Sequence, residues 1–157
     1  MTLEKNFESP LHCKEIKLVN FKGNQRWLFT GRAIAEAEAY NGPSLIIGYA
    51  PCEMHGIKGG MANCQSEMKN AVLAGYWQTF RFNPDAAAQG KNPLTVDSKA
   101  PVTDYIEFIK NETRYTRLEL AFPERAQELF AKASEAAKAK YNHLMDLQKM
   151  YEPKVEE

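Results

Sequence analysis

The sequence predicts an α/β fold, with a partial parallel sheet, flanking helices and a long C-terminal helix. Three observations lead there. Ser44-Leu45-Ile46-Ile47-Gly48-Tyr49 is a short, continuously apolar run of the kind found inside parallel sheets. It sits in an order of helix, strand, loop, helix and strand, in which loops at strand ends carry function. After Pro123, apolar residues recur at helical spacing to about Met150.

Taken in order, Ile16–Phe21, the turn Lys22-Gly23-Asn24-Gln25 and Arg26–Thr30 read as a hairpin. The Ala/Glu-rich run from Arg32 to Tyr40 is a strong helix former, stopped by Asn41-Gly42-Pro43. After the strand at 44–49 comes a loop, Ala50-Pro51-Cys52-Glu53-Met54-His55-Gly56-Ile57-Lys58-Gly59-Gly60. Asn63 to Gly75 is expected to be helical, with Met68, Ala71, Val72 and Leu73 facing inward. The β-prone run from Tyr76 to Asn83 is closed by Pro84. Residues 85–93 read as a surface loop and 94–98 as a short extended piece. Thr103 is expected to cap a helix whose contacts come from Tyr105, Ile106, Phe108 and Ile109. Pro123 suits the first turn of the last helix, where Leu129, Phe130, Ala133, Ala136, Ala137, Tyr141, Leu144 and Leu147 share a face. The last few residues read as disordered.

Composition narrows the function classes. Among 157 residues, 20 Lys+Arg balance 20 Asp+Glu, 44% are hydrophobic and 25% charged. Zero net charge argues against a general nucleic-acid binder, which needs a basic excess to neutralise phosphates. The apolar run at 45–50 is far shorter than the ~20 residues of a membrane span. The opening Met-Thr-Leu-Glu-Lys-Asn-Phe-Glu has no apolar h-region, so no secretory signal is expected. Three cysteines, Cys13, Cys52 and Cys64, cannot all pair with one another, which suits a reducing cytoplasm.

Chemistry concentrates on the loop after the apolar strand. Cys52 and His55 form a Cys-x-x-His pair, which can supply two metal ligands where a zinc site usually needs four. The alternative is a buried thiol beside an ordinary loop histidine. A nucleophilic Cys52 with His55 as base lacks any third group to orient the imidazole. Lys58-Gly59-Gly60 does not have phosphate-loop spacing, so its glycines are read as turn formers. Cys64-Gln65-Ser66-Glu67 has the register of a capping box with a poor cap, so Asn63 is expected to take the cap instead. The aromatics at 76–82 read as core, and the charges of the last helix as a solvated face.

From about Ala33 onward a set of segments stands in one order: residues 36–47 (EAEAYNGPSLII), 49–57 (YAPCEMHGI), 67–72 (EMKNAV), 75–77 (GYW), 81–84 (RFNP) and 90–99 (GKNPLTVDSK), then the mixed-charge terminal helix. This part of the chain closely resembles the C-terminal part of pyruvate:ferredoxin (flavodoxin) oxidoreductase. The resemblance implies the end of a thiamine-diphosphate-binding domain over residues 32–157, with 1–31 an unmatched N-terminal segment. It implies an enzyme that oxidatively decarboxylates pyruvate to acetyl-CoA, using thiamine diphosphate, Mg and coenzyme A. Electrons would pass through [4Fe–4S] clusters to ferredoxin or flavodoxin. Cys52, in its Ala-Pro-Cys loop, resembles the fourth ligand of the cluster nearest the thiamine, whose other three cysteines lie upstream in the family. No other residue takes a role from the resemblance.

The departures are equally specific. The family's Gly-Asp-Gly stretch for diphosphate and Mg is absent, as are the upstream cysteines and the ferredoxin-like segments. Cys64 stands where the family commonly has Ser. The expectation is therefore a fragment, from a truncated or rearranged reading frame or an incomplete gene. It should be inactive and hold no cofactor stably when alone, and should expose an unpaired sheet edge. Its expected partner is the remainder of the oxidoreductase or a copy of itself, with neither nucleic acid nor membrane. The rival readings are a non-catalytic interaction module or split-enzyme partner that completes another chain, and, third, an autonomous metal protein.

Overall fold

The computed structural model describes residues 14–19, as backbone, and 33–153. The second strand and turn of the expected hairpin, Cys13 and the tail from residue 154 lie outside the described residues.

The first strand, β1 (Lys14–Val19), lies between two others in a four-stranded sheet of order β2-β1-β3-β4. A helix over residues 33–39, α1, ends where Asn41-Gly42-Pro43 breaks the pattern, and Gly42 N donates to Tyr40 O over 2.9 Å. β2 (Ser44–Tyr49) follows at once and runs parallel to β1, from Lys14 opposite Ser44 to Val19 opposite Tyr49. β3 (Phe80–Phe82) and β4 (Leu94–Val96) complete the sheet, and the pairings β1–β3 and β3–β4 are antiparallel. The sheet is mixed, where a parallel one was expected.

β2 also differs from its expected placement. It is an edge strand, with Leu45 48% and Ile46 40% exposed. Successive side chains point to opposite faces of a strand, so the first half of β2 is open on both faces, while Ile47 and Tyr49 on the Leu45 face are half-buried. A continuous apolar run is the mark of a strand covered on both sides, and here the described residues cover one face in part only. The β-prone stretch 76–83 yields only the three residues of β3, because Tyr76 and Trp77 turn into the helical core instead.

α2 (Cys64–Leu73) follows a 3-10 turn at Met61–Asn63. Asn63 stands at the cap position, but its side chain makes no capping bond and donates from Nδ2 to Gly59 O at 3.3 Å. Cys64 is already inside the helix, so the capping-box register with Glu67 is not used, and Glu67 turns inward to 6% exposure. Met68 and Ala71 are buried as expected, whereas Val72 and Leu73 are half-buried. The helix stops at Gly75, whose φ of +75° few other residues tolerate.

Residues 85–88 form a short helix, α3 (Asp85–Ala88), within the expected loop. α4 (Tyr105–Ile109) is capped by Asp104, not Thr103: Asp104 Oδ1 accepts from Glu107 N at 2.8 Å. A carboxylate outcompetes a hydroxyl at this position because it also meets the positive end of the helix dipole. Thr103 N and Val102 N are committed to Leu73 O instead. A further helix, α5 (Thr113–Ala121), had no signal of its own, since none of its residues is buried and no apolar stripe marks it. Pro123 then opens α6 (Pro123–Met150), which at ~1.5 Å per residue runs for roughly 42 Å.

α6 serves two cores along its length. Near its start, Ala126 and Phe130 pack with Ala71, Ala74, Phe108 and Ile109. Near its end, Leu144 meets Phe82 and Leu94 of the sheet. Leu129, expected on the inner face, is 41% exposed, because the steps from Ala126 to Phe130 turn it outward. At the sheet, Arg81 grips Asp97 through Nε and Nη2, each at 2.9 Å, and Glu36 of α1 through Nη1 at 2.7 Å. This clamp joins a helix before β2 to strands after α2.

Candidate functional site

Cys52 lies on the loop that leaves β2, between buried Pro51 and a turn closed by Gly56 N donating to Cys52 O at 2.9 Å. Positive φ at Gly56, +73°, lets the chain leave that turn directly after His55. The turn brings His55 Nδ1 to 3.0 Å from Cys52 Sγ. The thiol is free and half-buried, while the imidazole is exposed.

Both ends of this loop are held by one residue. On the upstream side, the Tyr49 hydroxyl donates to Glu112 Oε1 at 2.5 Å. Downstream, Ile57 forms an antiparallel bridge with Glu112, flanked by Lys58 N to Asn111 O at 2.7 Å and Thr113 N to Gly56 O at 3.2 Å. Glu112 is 2% exposed and takes its counter-charge from Arg114, whose Nε lies 2.5 Å from Oε2. Arg114 also donates from Nη2 to Tyr76 OH at 2.7 Å, and Tyr76 OH meets Tyr115 OH at 3.1 Å.

Electrostatics follow from this burial. Desolvation, reinforced by the Glu112 acceptor, holds the Tyr49 hydroxyl far above the ordinary tyrosine range, so it stays a donor. Burial and the hydrogen bond to the Tyr76 hydroxyl raise Tyr115 likewise. Burial works against the charge on Arg114, but the Glu112 carboxylate together with Tyr76, Tyr115 and Tyr49 favours it on balance. Glu67 is pushed up to about 7, first by burial and then by the nearby Glu112 carboxylate, against a hydrogen bond from Asn70. Its Oε1 is buried without a hydrogen-bond partner, the state expected of a carboxyl held partly protonated.

Among the described residues, the fold brings together Cys52 and His55 of the candidate ligands that the sequence singles out. Cys64 opens α2 as a free, half-buried thiol, and Asn63 pairs with the glycine turn. Sequence reasoning missed Glu112, Arg114 and the tyrosines around them. Glu112-Thr113-Arg114 has the look of a surface charge pattern, and only the 63-residue separation spanned by the Tyr49 bond gives it meaning.

Cys52 offers a free, half-buried thiol on a loop fixed at both ends, chemistry that would suit one ligand of a cluster. A [4Fe–4S] cluster normally takes four thiolates, and no group of three or more His, Cys, Asp or Glu among the described residues could hold a metal ion. The remaining ligands must come from outside these residues.

The described residues form a mixed α/β scaffold with one cysteine–histidine pair on a loop held at both ends. Similar proteins are known. A stretch of about 70% of this chain matches pyruvate:ferredoxin and pyruvate-flavodoxin oxidoreductases at 40–52% identity. The pyruvate:ferredoxin oxidoreductase of Moorella thermoacetica is 52% identical over 109 residues, 69% of this chain and 9% of that protein. The pyruvate-flavodoxin oxidoreductase of Enterobacter agglomerans is 49% identical over 109 residues, with the same shares of 69% and 9%. The mitochondrial pyruvate dehydrogenase [NADP(+)] of Euglena gracilis is 40% identical over 111 residues, 71% of this chain and 6% of its own. No protein-family model matches the chain. The chain thus spans about a tenth of the relatives it matches, as a fragment of such an oxidoreductase would. Among the described residues, no helix is long and apolar enough to cross a membrane.

Proposed function

We propose that this chain supplies the C-terminal part of the thiamine-diphosphate-binding domain of a pyruvate:ferredoxin/flavodoxin oxidoreductase. The carrying observation is the 52% identity over 109 residues to the Moorella enzyme. In that setting residues 32–157 form the domain end, and Cys52 provides one thiolate to the [4Fe–4S] cluster nearest the thiamine. When bound, thiamine diphosphate supplies the electron sink for decarboxylating a 2-oxo acid, and the clusters carry the electrons away.

This chain's residues do the holding. Tyr49, Glu112 and Ile57 hold both ends of the loop that carries Cys52, which would hold a cluster iron through its sulfur. α6 reaches both cores of this chain, through Ala126 and Phe130 at one end and Leu144 at the other. The remainder of the oxidoreductase is the partner, ferredoxin or flavodoxin accepts its electrons, and a reducing cytoplasm suits the free thiols.

The test is reconstitution. Co-expressed with a Moorella-type oxidoreductase lacking the matching 109 residues, the chain should restore cluster content and pyruvate-dependent acceptor reduction. Cys52→Ser should impair that cluster and slow electron transfer, and Cys64→Ser should be tolerated. Unchanged iron content and turnover in Cys52→Ser would overturn the assignment.

A second reading, a split-enzyme partner or non-catalytic module completing another chain, draws on the exposed first half of β2, with Leu45 48% and Ile46 40% exposed. A neighbouring reading frame that encodes the missing Gly-Asp-Gly and cysteine segments would favour the split enzyme. A partner without those segments would favour the module.

A further inference from the structure

We propose that His55 is a positioning residue for Cys52, whose Nδ1–H donates to the metal-bound Sγ and so raises the reduction potential of the cluster that Cys52 completes. The inference rests on the reading of Cys52 as a cluster ligand.

The geometry is local and well defined. Nδ1 lies 3.0 Å from Sγ, inside the range for a hydrogen bond to sulfur. A metal-bound thiolate carries no proton, so the pair can bond in one sense only, with the imidazole N–H as donor. The three-residue spacing puts both side chains on one side of the turn closed by Gly56 N and Cys52 O. Glu112 pins the chain on both sides of that turn, so the imidazole is held against the sulfur by the backbone.

The consequence is electrostatic. A reduced cluster carries one more negative charge than an oxidised one, and part of that charge resides on its cysteine sulfurs. A donor aimed at such a sulfur favours the reduced form, and hydrogen bonds to sulfur are among the levers that set these potentials. An exposed histidine with no such role would leave the potential unchanged when replaced.

The experiment uses a holoenzyme assembled from this chain and the rest of the oxidoreductase, titrated redox-metrically with EPR detection of the clusters. His55→Leu should keep full iron and sulfide content and lower one midpoint by up to about 59 mV, a tenfold change in the oxidised-to-reduced ratio of a one-electron couple. His55→Asn, whose Nδ2–H stands close to where Nδ1–H stood, should recover most of that shift. A full cluster complement with an unshifted midpoint in His55→Leu would overturn the inference while leaving Cys52 as ligand. A full complement in Cys52→Ala would instead overturn the ligand reading. In the isolated chain, the ring-nitrogen NMR shifts of His55 should respond to Cys52→Ala, and shifts that do not respond would overturn the pairing without any cluster.

Discussion

The phenolic hydroxyl of Tyr49 donates to Glu112 across 63 residues of sequence, 2.5 Å from oxygen to oxygen, and so ties the strand before the Cys52 loop to the junction of α4 and α5. The same Glu112 bridges Ile57 at the loop's far end. A buried carboxylate with an arginine partner is costly to remove from water, and here it is repaid in position: it fixes both ends of the seven-residue loop 50–56 to one point.

Tyr49→Phe removes one donor and leaves the burial of the ring almost intact. Because Glu112 is ion-paired, the lost bond should cost about 1.5–3 kcal/mol. Urea unfolding should show the lower midpoint, and hydrogen exchange should show faster exchange at Gly56 and Lys58. An unaltered midpoint with unaltered exchange would mean that Glu112 does not anchor the loop.

Glu67 sets a pH dependence with a definite sign. Its carboxyl is pushed from the ordinary 4.5 up to about 7 in the folded chain, so folding favours its protonated form. The contribution is fully present below pH 4.5 and is lost as pH rises through about 7, on the order of 3 kcal/mol in all. Glu67→Gln should therefore be the more stable protein at pH 8, with the difference shrinking towards pH 4. Unfolding midpoints measured across that range test it, and parallel profiles for the two proteins would refute it.

Gly75 and Gly48 should respond oppositely to alanine. At Gly75, φ is +75° and an added Cβ would stand 2.7 Å from Pro101 Cγ, so Gly75→Ala should destabilise by about 1–2 kcal/mol or more. At Gly48 nothing lies within 4 Å, and Gly48→Ala should be neutral or stabilising by up to about 1 kcal/mol through the unfolded chain. Thermal melts of the two variants decide, and equal effects would contradict the geometry.

The open edge of β2 should make the isolated chain self-associate, since an exposed apolar edge strand is a template for further pairing. Ile46 is 40% exposed on that strand, and Ile46→Lys should shift light scattering towards monomer without lowering the melting temperature. A freely soluble monomer at high concentration in the unmutated chain would contradict the expectation.

Local signals were enough wherever a physical preference acts within a few residues. Pro123 placed the start of α6, Asn41-Gly42-Pro43 placed the end of α1, and Gly75 placed the stop of α2, because each depends on backbone conformations that neighbours cannot override. The Cys52–His55 pair was legible for the same reason, both residues lying on one turn. Burial and pairing were not. Whether Leu45 and Ile46 are covered depends on which strands lie beside β2, and the antiparallel partners of β1 come from residues 81–82. Asp104 took the cap from Thr103 because the backbone of Thr103 was already committed to Leu73, a contact 30 residues back. Glu112 became the anchor of the loop only when folding removed it from water, and left Tyr49, Arg114 and the Ile57 backbone as its partners. Desolvation is a property of the packed chain, so no reading of adjacent residues could have supplied it.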